Sequence, residues 1–449
     1  MPGRAIGTSL RRSPWFALFV LTLTFSTGFA DRQMINLLVQ PIKADFGLSD
    51  LQISLLQGVG FSLTYLVMSP IFGRWIDLHS RKATILVCVF VWSLFTALCG
   101  FAVGFASLFL ARALVGAAEA GLTPAAWSMM SDRFSGSRLG RAMSIYNIGP
   151  YLGGGVALML GGTILKYAAQ WDRSGIPSLY ALAPWQLTFL VVGAVGLVCA
   201  LLVPLIPEPV RQGESDGEQP IALGTALSVM YEHKRFYYLF YLGMALAIIP
   251  VYAFPAWLPA LSMRQFHIPI ATVGLRYGII SIVTGTLGVL ISPTLAGLLS
   301  RFGKGDENMR LGVLTSSVLF MCGIALFFRP SFEALLWTGG VASFFYSMPT
   351  AMAATALQMV TPPRMRGLVT SIYIVMVTLM GLAVAPTLVA FVTDKIFHDE
   401  ARVGDSLAVV CCGAALLSGL CLFGSLAGYR RLLRDPIALQ ADPRVEAEA

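Results

Sequence analysis

The sequence predicts an all-α membrane protein with twelve transmembrane helices, arranged as two parallel six-helix repeats around a central cavity. Of its 449 residues, 12% are charged and 56% are hydrophobic, whereas an ordinary soluble domain is about 25% charged. The remaining polar surface is too small to cover a water-soluble globule of this size. A soluble enzyme or a secreted domain is therefore excluded.

Stretches without charge define the spans one by one, because a helix that crosses a bilayer needs about 20 mostly apolar residues. Eleven uninterrupted runs of at least eighteen residues lack Asp, Glu, Lys and Arg: 13–30, 51–73, 83–111, 142–165, 174–207, 236–263, 277–300, 311–328, 334–363, 367–393 and 406–429. A twelfth span starts within the run 83–111, after a turn at 104–107, and continues to about Met130 with only Arg112 and Glu119 as charges. Backbone groups in hydrocarbon must be paired within the segment, so these long runs are helices.

The distribution of basic residues predicts the orientation. The loops and tails on the side of both termini hold 21 Lys and Arg residues and those on the other side hold seven. Basic loops stay in the cytoplasm, so we expect both termini there, in a multi-pass protein of the bacterial inner (plasma) membrane. The net charge of +8 is then an orientation signal, and nucleic acid is not an expected partner.

A polar stretch in the middle of the chain divides the spans six and six, since residues 208–235 have the composition of a linker. We expect a cytoplasmic N-terminal tail (1–14), an N-terminal six-helix bundle (15–206), a cytoplasmic linker (207–235), a C-terminal six-helix bundle (236–429) and a cytoplasmic C-terminal tail (430–449). Short matches recur in order between the two bundles at offsets of 223, 225 and 227 residues: Ser69-Pro70 and Ser292-Pro293, Thr123-Pro124 and Met348-Pro349, Ser144-Ile145-Tyr146 and Ser371-Ile372-Tyr373. Repetition at one period indicates a duplicated unit.

Metal, cofactor and enzyme chemistry leave no signature in the sequence. The seven cysteines lie inside apolar runs without metal-ligand spacing, and the four histidines are scattered at loops or span ends. Neither an HExxH motif nor a phosphate-binding glycine loop is present. We therefore expect no metal, no cofactor and no enzymatic activity.

Four charged residues fall inside the spans, where a central charge costs about 2.5–3.5 kcal/mol on insertion scales. They are Asp31 and Arg32 in the first span and Arg112 and Glu119 in the fourth. Arg112 and Glu119 lie on one stripe about 10 Å apart along the helix, too far for direct pairing, so each is expected to face the first span. The pairing is then Asp31 with Arg112 or Arg32 with Glu119. One interpretation is a static network that fixes helix register.

A working role for these charges is the other interpretation, since a hydrophobic replacement often packs as well as a buried ion pair. A desolvated carboxylate takes up a proton near neutral pH once its partner is drawn away. We hypothesise that Glu119, with Asp31 as second candidate, carries a coupling proton, while Arg32 and Arg112 attract an anionic substrate. Tyr146 and Asn147 in the fifth span are further candidates for binding it.

Between the second and third predicted spans the chain reads Gly73-Arg-Trp-Ile-Asp77-Leu-His-Ser-Arg81-Lys82. This resembles the G-x-x-x-D-R-x-G-R-R/K signature of the major facilitator superfamily, whose transporters are built from parallel six-helix repeats. In that family the acid and the following basic residues hold the cytoplasmic gate, which implies a gate role for Gly73, Asp77, Arg81 and Lys82. Leu78 stands where the family usually has Arg, and the copy in the second half, at 297–304, has no acid. A turn that merely orients the protein is the simpler alternative.

Several segments look like the spinster-type branch of that family: Phe29-Ala-Asp31-Arg32, Leu48-Ser-Asp50, residues 108–124 and Ser131-Asp-Arg-Phe134. Members of that branch move sphingosine phosphate or lysophospholipids, apparently linked to protons. The anion:cation symporter branch shares the Asp-Arg pair of the first span and the Arg and Glu seven residues apart in the fourth.

The spans of the second half carry almost no charge, so an apolar wall faces the charged first half. That contrast suits an amphipathic anion. We expect a monomeric secondary active transporter that moves a small amphipathic or organic anion, such as a lipid-like one, by alternating access. Its expected partners are protons and membrane lipids. A proton symporter for sugar acids or other carboxylates is the alternative, and a non-transporting membrane receptor is the alternative from another class.

Overall fold

The computed structural model describes residues 13–135, 137–170, 182–210, 223–302, 305–362 and 365–435, and this part of the chain is helical, with no strand. Spans 1 to 6 are the helices Pro14–Leu37 (span 1), Asp50–Ser54 with Gly60–Leu78 (span 2), Arg81–Cys99 (span 3), Phe105–Glu119 with Leu122–Ser131 (span 4), Ser137–Gln170 (span 5) and Pro184–Ala200 (span 6). A short helix, Val39–Phe46, follows span 1.

Spans 7 to 12 are the helices Lys234–Phe266 (span 7), Ile270–Leu299 (span 8), Glu307–Phe327 (span 9), Phe332–Tyr346 with Pro349–Val360 (span 10), Arg366–Thr378 with Ala385–Phe391 (span 11) and Val403–Arg434 (span 12). Ten helical segments within the described residues are long and apolar enough to cross a membrane. The other two predicted spans are also helical. Span 1 carries Asp31 and Arg32, and span 10 is interrupted at Ser347 and Met348. The all-α membrane fold is confirmed, and twelve spans are consistent with it.

The predicted linker and tails lie partly outside the described residues. Residues 211–222 of the linker, 1–12 of the first tail and 436–449 of the last are not described. Within the expected linker, the structure has a helix at Leu223–Glu232.

The turn between spans 1 and 2 shows how local sequence ends one helix and starts the next. Gly47 adopts a left-handed conformation (φ 63°) after Phe46, a backbone geometry that glycine takes at little cost. The Ser49 hydroxyl then accepts from the Gln52 N–H while the Gln52 side chain accepts from the Ser49 N–H. This reciprocal cap fixes where span 2 begins.

We call the side where span 1 begins and span 12 ends the terminal face, and the opposite side the far face. Near the far face, one cluster of buried hydrophobic side chains includes residues of both halves, among them Leu37 and Trp257. Toward the terminal face the buried residues form two separate clusters. One comes from spans 1 to 6 apart from Leu382, and the other comes entirely from the second half. The two halves therefore share a core on the far side and have separate cores on the terminal side.

Close backbone contacts also join the halves. A Cβ atom on Gly58 of span 2 would lie 1.5 Å from the Leu382 carbonyl oxygen of span 11, and one on Gly155 of span 5 would lie 2.7 Å from the Gly278 carbonyl oxygen of span 8. Contacts this short exclude any side chain at these positions in this conformation. The backbones of the two halves thus come close together along spans 2 and 11 and along spans 5 and 8.

Ion pairs reinforce the far-face contact. Asp50, at the start of span 2, accepts two hydrogen bonds of 2.6 Å from Arg264 at the end of span 7, and a third of 2.6 Å from Lys43. The Asp50 side chain is fully buried, and the Leu51 N–H donates to Asp394 of the second half at 2.8 Å. The structure is therefore closed at the far face.

Candidate transport site

Two ion pairs link span 1 to span 4 in the interior of the first half. Arg112 Nη1 donates to Asp31 Oδ2 at 2.7 Å, and both side chains are buried. Arg32 binds Glu119 with two hydrogen bonds, Nη2 to Oε1 at 2.7 Å and Nε to Oε2 at 3.2 Å. Both pairings offered by the sequence are present at once, and the predicted charged residues form one cluster.

Helix geometry explains why the pairs are separate. Asp31 and Arg32 are neighbours in a helix, so their side chains diverge by about 100°. Arg112 and Glu119 are seven residues apart and share one stripe of span 4, separated by about 10 Å along the axis. Asp31 therefore pairs with Arg112 at one end of the stripe, and Arg32 pairs with Glu119 at the other end.

The Asp31–Arg112 pair is incompletely satisfied. Within the described residues, Asp31 Oδ1 and Arg112 Nε and Nη2 are buried without a hydrogen-bond partner. Each such group costs about 1–3 kcal/mol, and charged groups cost more. The pair is therefore held by one hydrogen bond, and further hydrogen-bonding capacity of both side chains is unused.

Arg32 differs from the other three charges because it reaches the space between the halves. Its side chain is 13% exposed, against 2% for Glu119. Its guanidinium carbon lies 4.7 Å from the ring centre of Phe29, 4.4 Å from that of Phe61 and 5.3 Å from that of Tyr65. A cation held among aromatic rings keeps its charge available at low dielectric, so Arg32 is the charge best placed to meet an anion.

A small cavity of about 30 Å³ lies between the halves beside Arg32. The first half contributes mainly polar groups and the second half mainly apolar ones; the lining residues are Phe29, Arg32, Gln33, Asn36, Gln57, Tyr252, Pro255, Ala256, Leu382 and Pro386. Such a volume has room for about one water molecule and not for a substrate. In this conformation the central space is narrow on this side of Arg32.

Tyr146 and Asn147 take up different positions. Tyr146 is buried and stacks on Phe25 of span 1, with ring centres 4.3 Å apart and planes 7° from parallel. Asn147 is exposed, because the next residue of a helix points about 100° away. A part in substrate binding stays a prediction for both residues.

Arg81 of the gate motif connects several segments of the first half at the terminal face. It is 2% exposed, and its guanidinium donates to Ser128 Oγ at 3.0 Å, to the Pro209 carbonyl at 2.8 Å and to Asp132. It therefore ties the start of span 3 to the end of span 4 and to the segment after span 6. These contacts stay within one half.

Glu208 completes this group. It accepts a hydrogen bond from the Arg81 N–H at 2.7 Å and one from the Ser80 hydroxyl. Partial burial alone raises the pKa of Glu208, but these hydrogen bonds and the Arg81 charge lower it below its usual value. Glu208 thus faces Arg81 as an anion at neutral pH.

The other members of the motif are less constrained. Gly73 has open space where a Cβ would stand, Lys82 is half-buried, and the Asp77 side chain lies outside the part that the structure describes. Leu78, in place of the usual Arg, is 66% exposed. The gate role of this motif stays a prediction.

Comparison with known proteins now identifies the family. The model of the Major Facilitator Superfamily matches residues 20–386. The chain belongs to this superfamily. It is 25% identical over 427 residues to an MFS-type efflux pump of Mycolicibacterium smegmatis, with 94% of each chain covered. It is 27% identical over 414 residues to Protein spinster of Drosophila melanogaster, which covers 89% of this chain and 65% of that relative's length.

The fold agrees with this family assignment. A crystal structure of a bacterial homologue of the human lysosomal transporter Spinster, inward-facing and unoccupied, superposes with a TM-score of 0.74 at 23% identity, covering 95% of this chain and 99% of that one. The resemblance to the superfamily and to spinster proteins is confirmed. The chain is a multi-pass membrane transporter of this superfamily and not an enzyme.

Two polar groups were not predicted from the sequence. One is the far-face cluster of Asp50, Lys43 and Arg264. The other is a chain of amides at Gln33, Asn36 and Gln57. The available signal was Gln57, which lies deeper in the charge-free run 51–73 than the run's other glutamine, Gln52, and a polar side chain needs a reason to be buried there.

Proposed function

We propose that this transporter moves a small amphipathic anion across the membrane by alternating access, coupled to protons, as a monomer of the bacterial inner membrane with both termini in the cytoplasm. The observation that carries the proposal is the position of Arg32. It forms a two-bond ion pair with Glu119 and also lines the cavity between the halves.

Binding of the anion follows from this position. An anionic group that enters from the central space meets the Arg32 guanidinium before any other charge of the cluster. Guanidinium binds carboxylate and phosphate through two parallel hydrogen bonds, which are the bonds it now gives to Glu119. Substrate and Glu119 therefore compete for Arg32. Arg112 keeps the site positive behind it.

Proton coupling follows from the competition. Glu119 is 2% exposed, so a negative charge left there without Arg32 is costly. Taking up a proton removes that cost. Binding of the anion and protonation of Glu119 then favour each other, and Asp31 is the second carboxylate that could respond in this way once Arg112 shifts.

Alternating access requires that the far-face contacts break when the terminal face closes. The Asp50–Arg264 and Asp50–Lys43 ion pairs and the Gly58–Leu382 contact are the ones that hold the far face closed. The separate hydrophobic cores on the terminal side support a conformation open toward the cytoplasm in the proposed orientation.

The amphipathic character of the substrate rests on the contrast between the walls of the site. The first half supplies cations and amides, while the second supplies Pro255, Ala256, Leu382 and Pro386. A sugar acid would leave many hydroxyl groups against that wall without partners, whereas an acyl chain fits it. The similarity to spinster proteins also supports this substrate class, because the resemblance to the spinster-type branch implies transport of lysophospholipids.

The test is transport of a lysophosphatidylglycerol in proteoliposomes with a pH gradient. For Glu119→Gln we expect exchange of the lipid across the membrane to continue, while accumulation driven by the gradient is lost. Glu333→Gln is the matched control, because Glu333 is 61% exposed and pairs with Arg276 outside the site. Gradient-driven accumulation that persists in Glu119→Gln would contradict the coupling role, and failure of the unmodified protein to move any lysolipid would contradict the substrate class.

A further inference from the structure

Gln57 is a buried polar residue of span 2 that lies at the contact between the halves. It lies in a π-helical turn, Leu55–Val59, that interrupts span 2, and such turns are frequent at functional sites. Its side chain is 6% exposed and lines the same cavity as Arg32. Neither the gate motif nor the charge cluster accounts for an amide at this position.

The hydrogen bonds fix the orientation of the amide. Gln57 Nε2 lies 3.1 Å from Asn36 Oδ1 and 3.2 Å from the Ala256 carbonyl oxygen of span 7. The carbonyl can only accept, so the nitrogen must be the atom on that side. Asn36 Oδ1 is also an acceptor, since Asn36 Nδ2 donates to Gln33 Oε1. Gln57 Oε1 is therefore the free end of an amide chain.

This oxygen has no partner. Within the described residues, Gln57 Oε1 is buried without a hydrogen bond. An amide oxygen left in this state is destabilising, and the residue lines a cavity with room for about one water molecule. A donor group that reaches this oxygen would find an acceptor whose hydrogen-bonding capacity is unused.

Arg32 and Asn36 are one helical turn apart, about 6 Å along span 1. Gln57 is held by Asn36 and so stands one turn farther toward the far face than Arg32. A ligand whose anion binds Arg32 can reach this level with a group a few bonds away from the anion.

We propose that Gln57 forms a second subsite, in which Oε1 accepts a hydrogen bond from a hydroxyl or ammonium group of the transported anion. The subsite selects anions that carry a donor close to the charged group over anions that lack one. The same amide bonds the backbone of span 7, so the donor is recognised where the two halves meet. This inference rests on the proposed function and adds the chemical class of the substrate to it.

The test compares two probes that differ by one hydroxyl, 1-oleoyl-lysophosphatidic acid and its 2-deoxy analogue, in binding to the full-length protein in detergent. We expect the hydroxyl probe to bind about ten-fold tighter to the unmodified protein, the effect of one well-formed hydrogen bond to a buried acceptor. In Gln57→Met, which keeps the length of the side chain, we expect the two probes to bind equally. The affinity of the deoxy probe should stay unchanged and so report that the variant is folded.

Tyr252→Phe is the matched control, because it removes the hydroxyl of the second half from the same cavity. It should keep the ten-fold preference. Equal binding of the probes to the unmodified protein, a preference that survives in Gln57→Met, or loss of both probes in that variant would each overturn the subsite and leave the anion site of Arg32 standing. If the unmodified protein binds neither probe, the proposed function and the subsite are both overturned.

Discussion

The interiors of the two halves differ in chemistry although their helices correspond. In the first half, spans 1 and 4 hold Asp31, Arg32, Arg112 and Glu119 as buried or nearly buried ion pairs. In the second half, the buried polar groups in the middle of the spans are hydroxyls, such as Ser316 and Ser418 at 3.0 Å. A duplicated helical unit thus has one half that can handle charge and one that offers an apolar surface.

A second difference lies on the terminal face, where corresponding positions carry opposite charges. In the first half, Arg81 at the start of span 3 faces Glu208 after span 6. In the second half, Asp306 at the start of span 9 accepts a hydrogen bond from Arg430 of span 12 at 2.5 Å and forms an ion pair with Arg310 at 2.9 Å. An acid thus stands in the second half at the place that Arg81 occupies in the first.

The two halves share the places where helices are joined but not the residues that join them. Arg81 and Asp306 are both nearly buried; Arg81 joins the start of span 3 to the segment after span 6, and Asp306 joins the start of span 9 to the end of span 12. Among the described residues, by contrast, the charged groups of the site all come from the first half. Substitutions in matching places should therefore have unequal effects.

The largest effect is expected for the buried pair of the first half. Asp31→Leu leaves Arg112 buried without its partner, and breaking a buried ion pair costs about 3–5 kcal/mol of stability. In the double variant Asp31→Leu with Arg112→Met both charges are gone, so thermal unfolding in detergent should return close to that of the unmodified protein. Asp31→Leu should abolish counterflow of lysophosphatidylglycerol, and the double variant should not restore it.

Ser316→Ala is the corresponding change in the second half. It removes a neutral hydrogen bond worth about 0.5–1.5 kcal/mol and should leave counterflow intact. Transport at the normal rate by the charge-free double variant would show that the Asp31–Arg112 pair only supports the fold.

A smaller difference is expected on the terminal face. Arg81 is 2% exposed and the Arg430 side chain is 47% exposed. Arg81→Gln should lower the free energy of unfolding by about 2–4 kcal/mol, since it removes a buried guanidinium and its hydrogen bonds to partly buried acceptors, whereas Arg430→Gln should cost about 0–1 kcal/mol. Thermal unfolding of the two variants side by side measures the gap. Equal losses of unfolding free energy would contradict this account, because Arg81 is buried and the Arg430 side chain is largely exposed.

The sequence was sufficient for the spans and for the identity of the charge cluster. Apolar runs predict helices because hydrocarbon leaves the backbone no other partner, and a charge inside such a run is costly enough to be informative. The stripe formed by Arg112 and Glu119 also predicted that both face span 1. The stripe alone left the two pairings as alternatives. Which end of the stripe each side chain of span 1 reaches depends on how spans 1 and 4 pack.

Contacts between residues that are far apart in the chain could not be predicted from the sequence. The π-helical turns at Leu55–Val59 and Leu379–Val384 lie where spans 2 and 11 press together at Gly58. Helical propensity does not predict such a turn, since packing decides it. Asp50 and Arg264 are 214 residues apart, and no local pattern relates them.

Proton uptake on binding tests the central claim most directly, that Arg32 is shared between Glu119 and the transported anion. Lysophosphatidylglycerol is the probe, because its phosphodiester charge does not titrate near neutral pH. When it is added to the detergent-solubilised protein in weakly buffered solution, we expect about one proton to be taken up per lipid bound, and none by Glu119→Gln. Binding without proton uptake by the unmodified protein, or equal uptake by both proteins, would contradict the account.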